Sequence, residues 1–196
     1  MWKWIKNIFS KNSEPAPVKI EPAPSIPQVN DVMVEFAINL SAQKELDQII
    51  PIIKKNIEKY KAVEVKTSVP WDVIAACHYR EASLDFNTCL HNGDPLPGPT
   101  KHVPKGRGPF SSWEAAAVDS MFDSKSIFPK QWTAQSKLDF CEAYNGMGYK
   151  KKGLPSPYVW AGTNNYQSGL YVADGKFDGS KVDKRLGCAA IIKGLI

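Results

Sequence analysis

A chain of 196 residues, 43% of them hydrophobic and 23% charged, holds one compact domain of roughly 150 residues plus a tail and is cramped for two full domains. Its 25 Lys and Arg against 20 Asp and Glu give a formal charge of +5, which favours an anionic partner without choosing among nucleic acid, anionic lipid and bacterial wall polymer. No apolar stretch is long enough to span a membrane, and no phosphate-binding glycine loop, serine elbow or nucleic-acid module is visible, so no nucleic-acid partner is expected.

The opening MWKWIKNIFS is basic and aromatic but lacks the apolar core of an ordinary secretory signal. Residues 1–9 read either as a weak amphipathic contact with a membrane surface or as an unstructured start. Residues 10–30 repeat EPAP twice, and their prolines block helix and sheet hydrogen bonding, so residues 1–30 are expected to form a flexible arm and residues 31–196 the folded domain. Leu46, Ile49, Ile50, Ile53, Ile57 and Tyr60 then recur at helical spacing, with Pro51 expected to divide or kink the stretch. SVPWDVIAACHYREAS follows, with Ser68 and Pro70 suited to a helix start and Asp72 near its positive end.

Residues 86–109 are rich in Pro and Gly with no strong period, and a loop this long is a candidate substrate wall. Helical patterns resume in SSWEAAAVDSMF, where Ser111 or Ser112 can cap, and in WTAQSKLDFCEAYNGMGY, which ends in glycines. The segment from Leu154 to Ser180 reads as loop with a short hairpin, and KRLGCAAIIKGLI as a closing apolar helix. Five or more helices with little strand predict a mainly α domain. Cys77, Cys89, Cys141 and Cys188 form no CxxC pair or zinc-type cluster and are expected to be mostly small buried side chains, with no metal site and no cofactor.

Counting from Trp71 in steps of three or four puts Ile74, Cys77 or His78, Glu81 and Asp85 on or near one helix face. A carboxyl half-buried among apolar neighbours resists ionisation, which suits Glu81 to act as general acid on a departing sugar oxygen; pairing with an Arg or Lys at a helix end is its structural alternative. An inverting reaction needs a second carboxylate roughly 6.5–9.5 Å away to activate water, and Asp85 and Asp94 are the candidates, each with an ordinary turn or capping role as the alternative. Tyr144 is placed to orient water or steady Glu81, with a core tyrosine at a helix end as the alternative, and Asn145, Tyr149, Tyr158, Trp160, Asn164, Asn165, Tyr166 and Tyr171 are suited to line a sugar cleft, whereas Trp113 and Trp132 fit packing stripes.

The blocks VPWDVIAACHYREASLDFNTCLHNGDPL, GPFSSWEAAAVDSM, CEAYNGMGY and SPYVWAGTNNYQSGLYVADGKFD together resemble the family of goose-type lysozymes and soluble lytic transglycosylases, over about residues 45–196. The resemblance implies a lysozyme-like helical domain with a small loop or hairpin lobe. It implies Glu81 as the acid, with Ser83 following it, and Tyr144 as a cleft-lining tyrosine; Ser83 and His91 join the expected substrate-binding set. No GLMQ-like block follows Glu81, so the second carboxylate does not carry over. The preferred expectation is a monomeric phage endolysin-type muramidase hydrolysing the β-1,4 bond between N-acetylmuramic acid and N-acetylglucosamine in peptidoglycan glycan strands. It would reach the wall from the host cytoplasm through a membrane lesion, or be carried on a virion. The alternatives are a lytic transglycosylase forming 1,6-anhydro-muramic ends and a catalytically inert wall-binding module.

Overall fold

The computed structural model describes residues 35–173 and 175–196. The expected arm over residues 1–30, its membrane contact through residues 1–9 and the domain start near Asp31 lie outside the described residues. Within them the chain is mainly helical, with one small two-stranded antiparallel hairpin.

Helix α1 (Leu40–Lys55) buries Ala42, Leu46, Ile49 and Ile53, a spacing that lays one apolar stripe against the core. The expected break at Pro51 does not occur. Pro51 is exposed, as is Asp47, whose carbonyl loses its helical partner, so water can serve that carbonyl and the helix runs on. The break falls at Asn56 instead, whose side-chain amide donates to the Ile52 carbonyl at 3.0 Å. Helix α2 (Ile57–Thr67) follows and buries Tyr60, Val63 and Thr67. Ser68, expected to help start the next helix, closes α2 in the left-handed region at φ 63°, and Pro70 is the residue that starts α3 (Trp71–Ala82).

Every residue of α3 from Asp72 to Arg80 is buried. A helix covered on all sides is the centre of its domain, and α2 packs against it together with α5 (Ala134–Asn145) and α7 (Cys188–Leu195). Such burial obliges each polar side chain to find a partner. Asp72 pairs with Lys137 at 2.6 Å, and Arg80 pairs with Asp183 at 2.7 Å. His78 Nε2 lies 3.0 Å from the Trp113 indole nitrogen and 3.2 Å from the Asp85 carbonyl oxygen, and its Nδ1 lies 3.0 Å from the Tyr60 hydroxyl, so both ring nitrogens are engaged. Burial lowers the His78 pKa to about 4, so this histidine is a neutral core residue.

Helix α4 (Trp113–Asp123) is capped by Ser112, whose side chain accepts from the Ala115 amide at 3.2 Å. Helix α5 starts at a reciprocal Thr133–Ser136 cap and stops at Gly146, whose φ of 103° suits glycine. The four-residue α6 (Pro157–Trp160) packs on α5 and α7. Strands β1 (Leu170–Ala173) and β2 (Lys176–Asp178) pair Leu170 with Asp178 and Tyr171 with Phe177. Between α3 and α4 the chain forms no helix, and bridges Thr88–Pro95 and Gly98–Phe110 fold it on itself. Trp113 is buried and Trp132 packs on Phe140 with ring centroids 5.3 Å apart, in keeping with their packing stripes.

Candidate active site

Glu81 is the first residue of α3 after the fully covered run, and its side chain is half-buried. The chain then turns sharply. Ser83 (φ 51°) and Leu84 (φ 64°) are successive non-glycine residues in the left-handed region, and the amides of Ser83 and Leu84 donate to the carbonyls of Tyr79 (3.0 Å) and His78 (3.4 Å). Two strained residues directly behind an ionisable side chain mark a conformation that the surrounding fold enforces. Burial pushes the Glu81 carboxyl from 4.5 up to about 7, against the opposing pull of the Tyr158 hydroxyl, which donates to Oε1 at 2.8 Å. Because Tyr158 occupies Oε1, Oε2 is left to carry the acid proton. Arg80 and Arg185 also act to lower the Glu81 value, and Cys77, one turn earlier on α3, acts to raise it.

Neither expected second carboxylate stands free. Asp85 does not share the α3 face predicted for it, because the helix ends at Ala82 and the left-handed turn carries the chain away. Its exposed carboxylate forms an Asx turn, with Oδ1 accepting from the Asn87 amide and side chain, both at 2.9 Å. Asp94 is buried and clamps the long loop. Its Oδ2 accepts from the amides of Lys101 (2.7 Å) and His102 (2.9 Å), and its Oδ1 lies 2.6 Å from His102 Nδ1. These bonds, led by the His102 amide, hold the Asp94 carboxyl down at about 2. Among the groups acting most strongly on Glu81 there is no second carboxylate.

Tyr144, from α5, is half-buried with its hydroxyl 2.6 Å from Ser120 Oγ. Burial, and next the charges at Cys77 and Glu81, raise its pKa, which places it in the same electrostatic neighbourhood as the acid. Arg80 and Tyr158 help to line a cleft of about 340 Å³, within the range of small-ligand sites. Arg80, Asn145, Tyr149, Tyr158, Tyr171 and Arg185 are among its walls. Glu81 is not itself a wall residue; Tyr158, which is, connects it to the cleft.

Of the residues expected to line a sugar cleft or bind substrate, the structure brings Asn145, Tyr149, Tyr158 and Tyr171 to this cleft, while Ser83, His91, Trp160, Asn164, Asn165 and Tyr166 do not line it. Ser83 is exposed at the end of α3. His91 has a side chain only 2% exposed, bonded to Asp119 at 3.0 Å and stacked on Phe110. Trp160 meets Phe36 edge-on, with centroids 5.5 Å apart, and Asn164 accepts from the Ala37 amide at 2.8 Å, so both anchor the segment before α1. Tyr166 is buried, donating to the Gly169 carbonyl at 3.2 Å and accepting from the Asp183 amide at 3.0 Å.

Sequence reasoning missed the frame of the cleft. Arg80 is held by Asp183, Arg185 bonds both Asp183 and the Arg80 carbonyl, and the Arg80 guanidinium lies 4.9 Å from the centre of the Tyr158 ring. The partners are over a hundred residues apart in sequence, at separations of 103 and 105, so no local pattern announces them. The four cysteines are all buried and free, as small core residues should be, but three of them converge in a way their spacing does not reveal. Comparison of the chain with protein-family models, curated proteins and solved structures finds no match.

Proposed function

We propose that this helical domain is a lysozyme-like glycosidase that cleaves the β-1,4 bond between N-acetylmuramic acid and N-acetylglucosamine in peptidoglycan, acting as a monomer with Glu81 as its acid. The observation that carries the proposal is the state of Glu81: a half-buried carboxyl at a helix end, raised to about 7, with one oxygen fixed by Tyr158, which is itself a wall residue of the cleft. An acid tuned near neutrality keeps a proton to give and gives it readily. The resemblance of the HYREAS, AYNG and SPYVW blocks to lysozyme and transglycosylase elements points the same way.

The engagement of Asp85 and Asp94 elsewhere favours the route that needs only one carboxyl. Glu81 donates its proton to the glycosidic oxygen of the departing N-acetylglucosamine as the bond to C1 of the muramic unit breaks. The Glu81 carboxylate so formed then accepts the proton of the muramic C6 hydroxyl while that oxygen bonds to C1, closing a 1,6-anhydro ring and returning the proton to Glu81. The same acid would serve the water-using muramidase reaction expected from sequence, in which water replaces the C6 hydroxyl. A Glu81→Gln variant separates either enzyme from an inert wall-binding module. On isolated walls the wild type is expected to clear turbidity and the variant to bind without clearing. Equal clearing by both removes Glu81 from the chemistry, and binding without clearing by the wild type overturns the enzymatic reading.

A further inference from the structure

Three helices meet at three sulfurs. Cys77 of α3, Cys141 of α5 and Cys188 of α7 are fully buried, free of disulfides, and bring their Sγ atoms within 4.8 Å of one another. We propose that Cys77, Cys141 and Cys188 form a three-thiolate site for a soft, thiophilic d10 cation, Cu(I) first among them. This inference does not rest on the glycosidase reading.

Thiolate sets select soft ions such as Cu(I) and Zn(II) over hard oxygen-seeking ones. A structural zinc site closes with four ligands, and among the described residues no further Cys, His, Asp or Glu joins this group. A planar three-coordinate ion remains. With metal–sulfur bonds of roughly 2.3 Å, its three sulfurs stand about 4 Å apart, a spacing compatible with sulfurs that all lie within 4.8 Å of one another. Binding would exchange three thiol protons for one cation, with no change of oxidation state, and leave a net negative centre.

The surroundings favour that charge. Arg80, one turn on from Cys77 along α3, has a side chain 3% exposed and an Nε with no hydrogen-bond partner among the described residues, so it supplies a buried positive charge on the same helix. Cys188 is also the first residue of α7, at the positive end of that helix.

The test is a titration of the reduced full chain with Cu(I) against a chromophoric Cu(I) chelator, followed to equilibrium under inert gas. The expected result is removal of one equivalent from the chelator and an X-ray absorption first shell of three sulfurs. Uptake should be lost in Cys188→Ala and in Cys141→Ala, each checked by circular dichroism, and kept in Cys89→Ala. No uptake by the wild type, or uptake that survives in folded Cys188→Ala, would show that the three cysteines are packing groups only and overturn the site. Equally tight uptake of Zn(II) would overturn the choice of ion.

Discussion

Replacing Glu81 by Gln is expected to make the protein more stable, and by an amount that depends on pH. Burial raises the Glu81 carboxyl from 4.5 to about 7, so the folded protein holds this proton more tightly than the unfolded chain does. Its contribution is therefore undiminished below about pH 4.5, declines as pH rises toward 7, and is a full cost above that. At 1.36 kcal/mol per pH unit, moving the group from 4.5 to about 7 costs ~3 kcal/mol once it is ionised. Gln is neutral throughout, is close to Glu in shape and keeps an acceptor oxygen for the Tyr158 hydroxyl. Urea unfolding of both proteins should then give equal stabilities near pH 4 and an advantage of about 2–3 kcal/mol for Glu81→Gln near pH 8. The difference between the two proteins removes the titration of all other groups to first order. A difference that stays flat with pH, or a variant less stable at pH 8, would refute the assignment of Glu81 as a carboxyl neutralised by burial.

Tyr158→Phe deletes a hydrogen bond that favours the Glu81 anion, so the Glu81 pKa should rise further, by about 1 unit for a bond to a charged acceptor. Carbon-13 detection of the labelled carboxyl measures it, and a fall or no change would deny Tyr158 this role. Asp94→Asn should speed amide exchange at Lys101 and His102, whose N–H groups it now holds; unchanged exchange at both would free Asp94 from the clamp and return it to consideration as a second carboxylate. Gly187→Ala places a Cβ 2.4 Å from the Val159 carbonyl oxygen and 2.7 Å from the Ala161 amide nitrogen. Backbone cannot yield there cheaply, so a loss of about 1–3 kcal/mol or more is expected in urea unfolding, and wild-type stability would show that α6 and α7 can separate at no cost.

What the sequence made legible follows the reach of its patterns. The apolar stripe of α1, the Ser112 cap of α4 and the glycine stop of α5 are local, and the structure has each of them. Pro51 does not divide α1 because on an exposed face it can leave the Asp47 carbonyl to water, and Ser68 misled because a serine can close a helix as well as open one. Glu81 was legible as a carboxyl on a covered helix. Asp85 was projected onto the same face only because the left-handed pair Ser83 and Leu84, neither of them glycine, gives no sign in sequence that the helix stops there. The clamp at Asp94, the Arg80–Asp183–Arg185 frame and the sulfur cluster depend on contacts between distant segments, which periodicity does not encode. Of the aromatic and amide set, Asn145, Tyr149, Tyr158 and Tyr171 reach the cleft, whereas residues suited to line a cleft are equally suited to anchor a neighbouring segment, as Trp160 and Asn164 do.

The central claim, that Glu81 alone carries acid and then base through the cleavage of a glycan strand, is tested most directly by the products. Purified peptidoglycan digested with the full chain and analysed by mass spectrometry should yield muropeptides ending in 1,6-anhydro-N-acetylmuramic acid, and the Glu81→Gln protein should yield none. Reducing N-acetylmuramic ends formed with incorporation of heavy oxygen from labelled water would contradict the single-carboxyl route. Intact strands after prolonged digestion would contradict the cleavage itself.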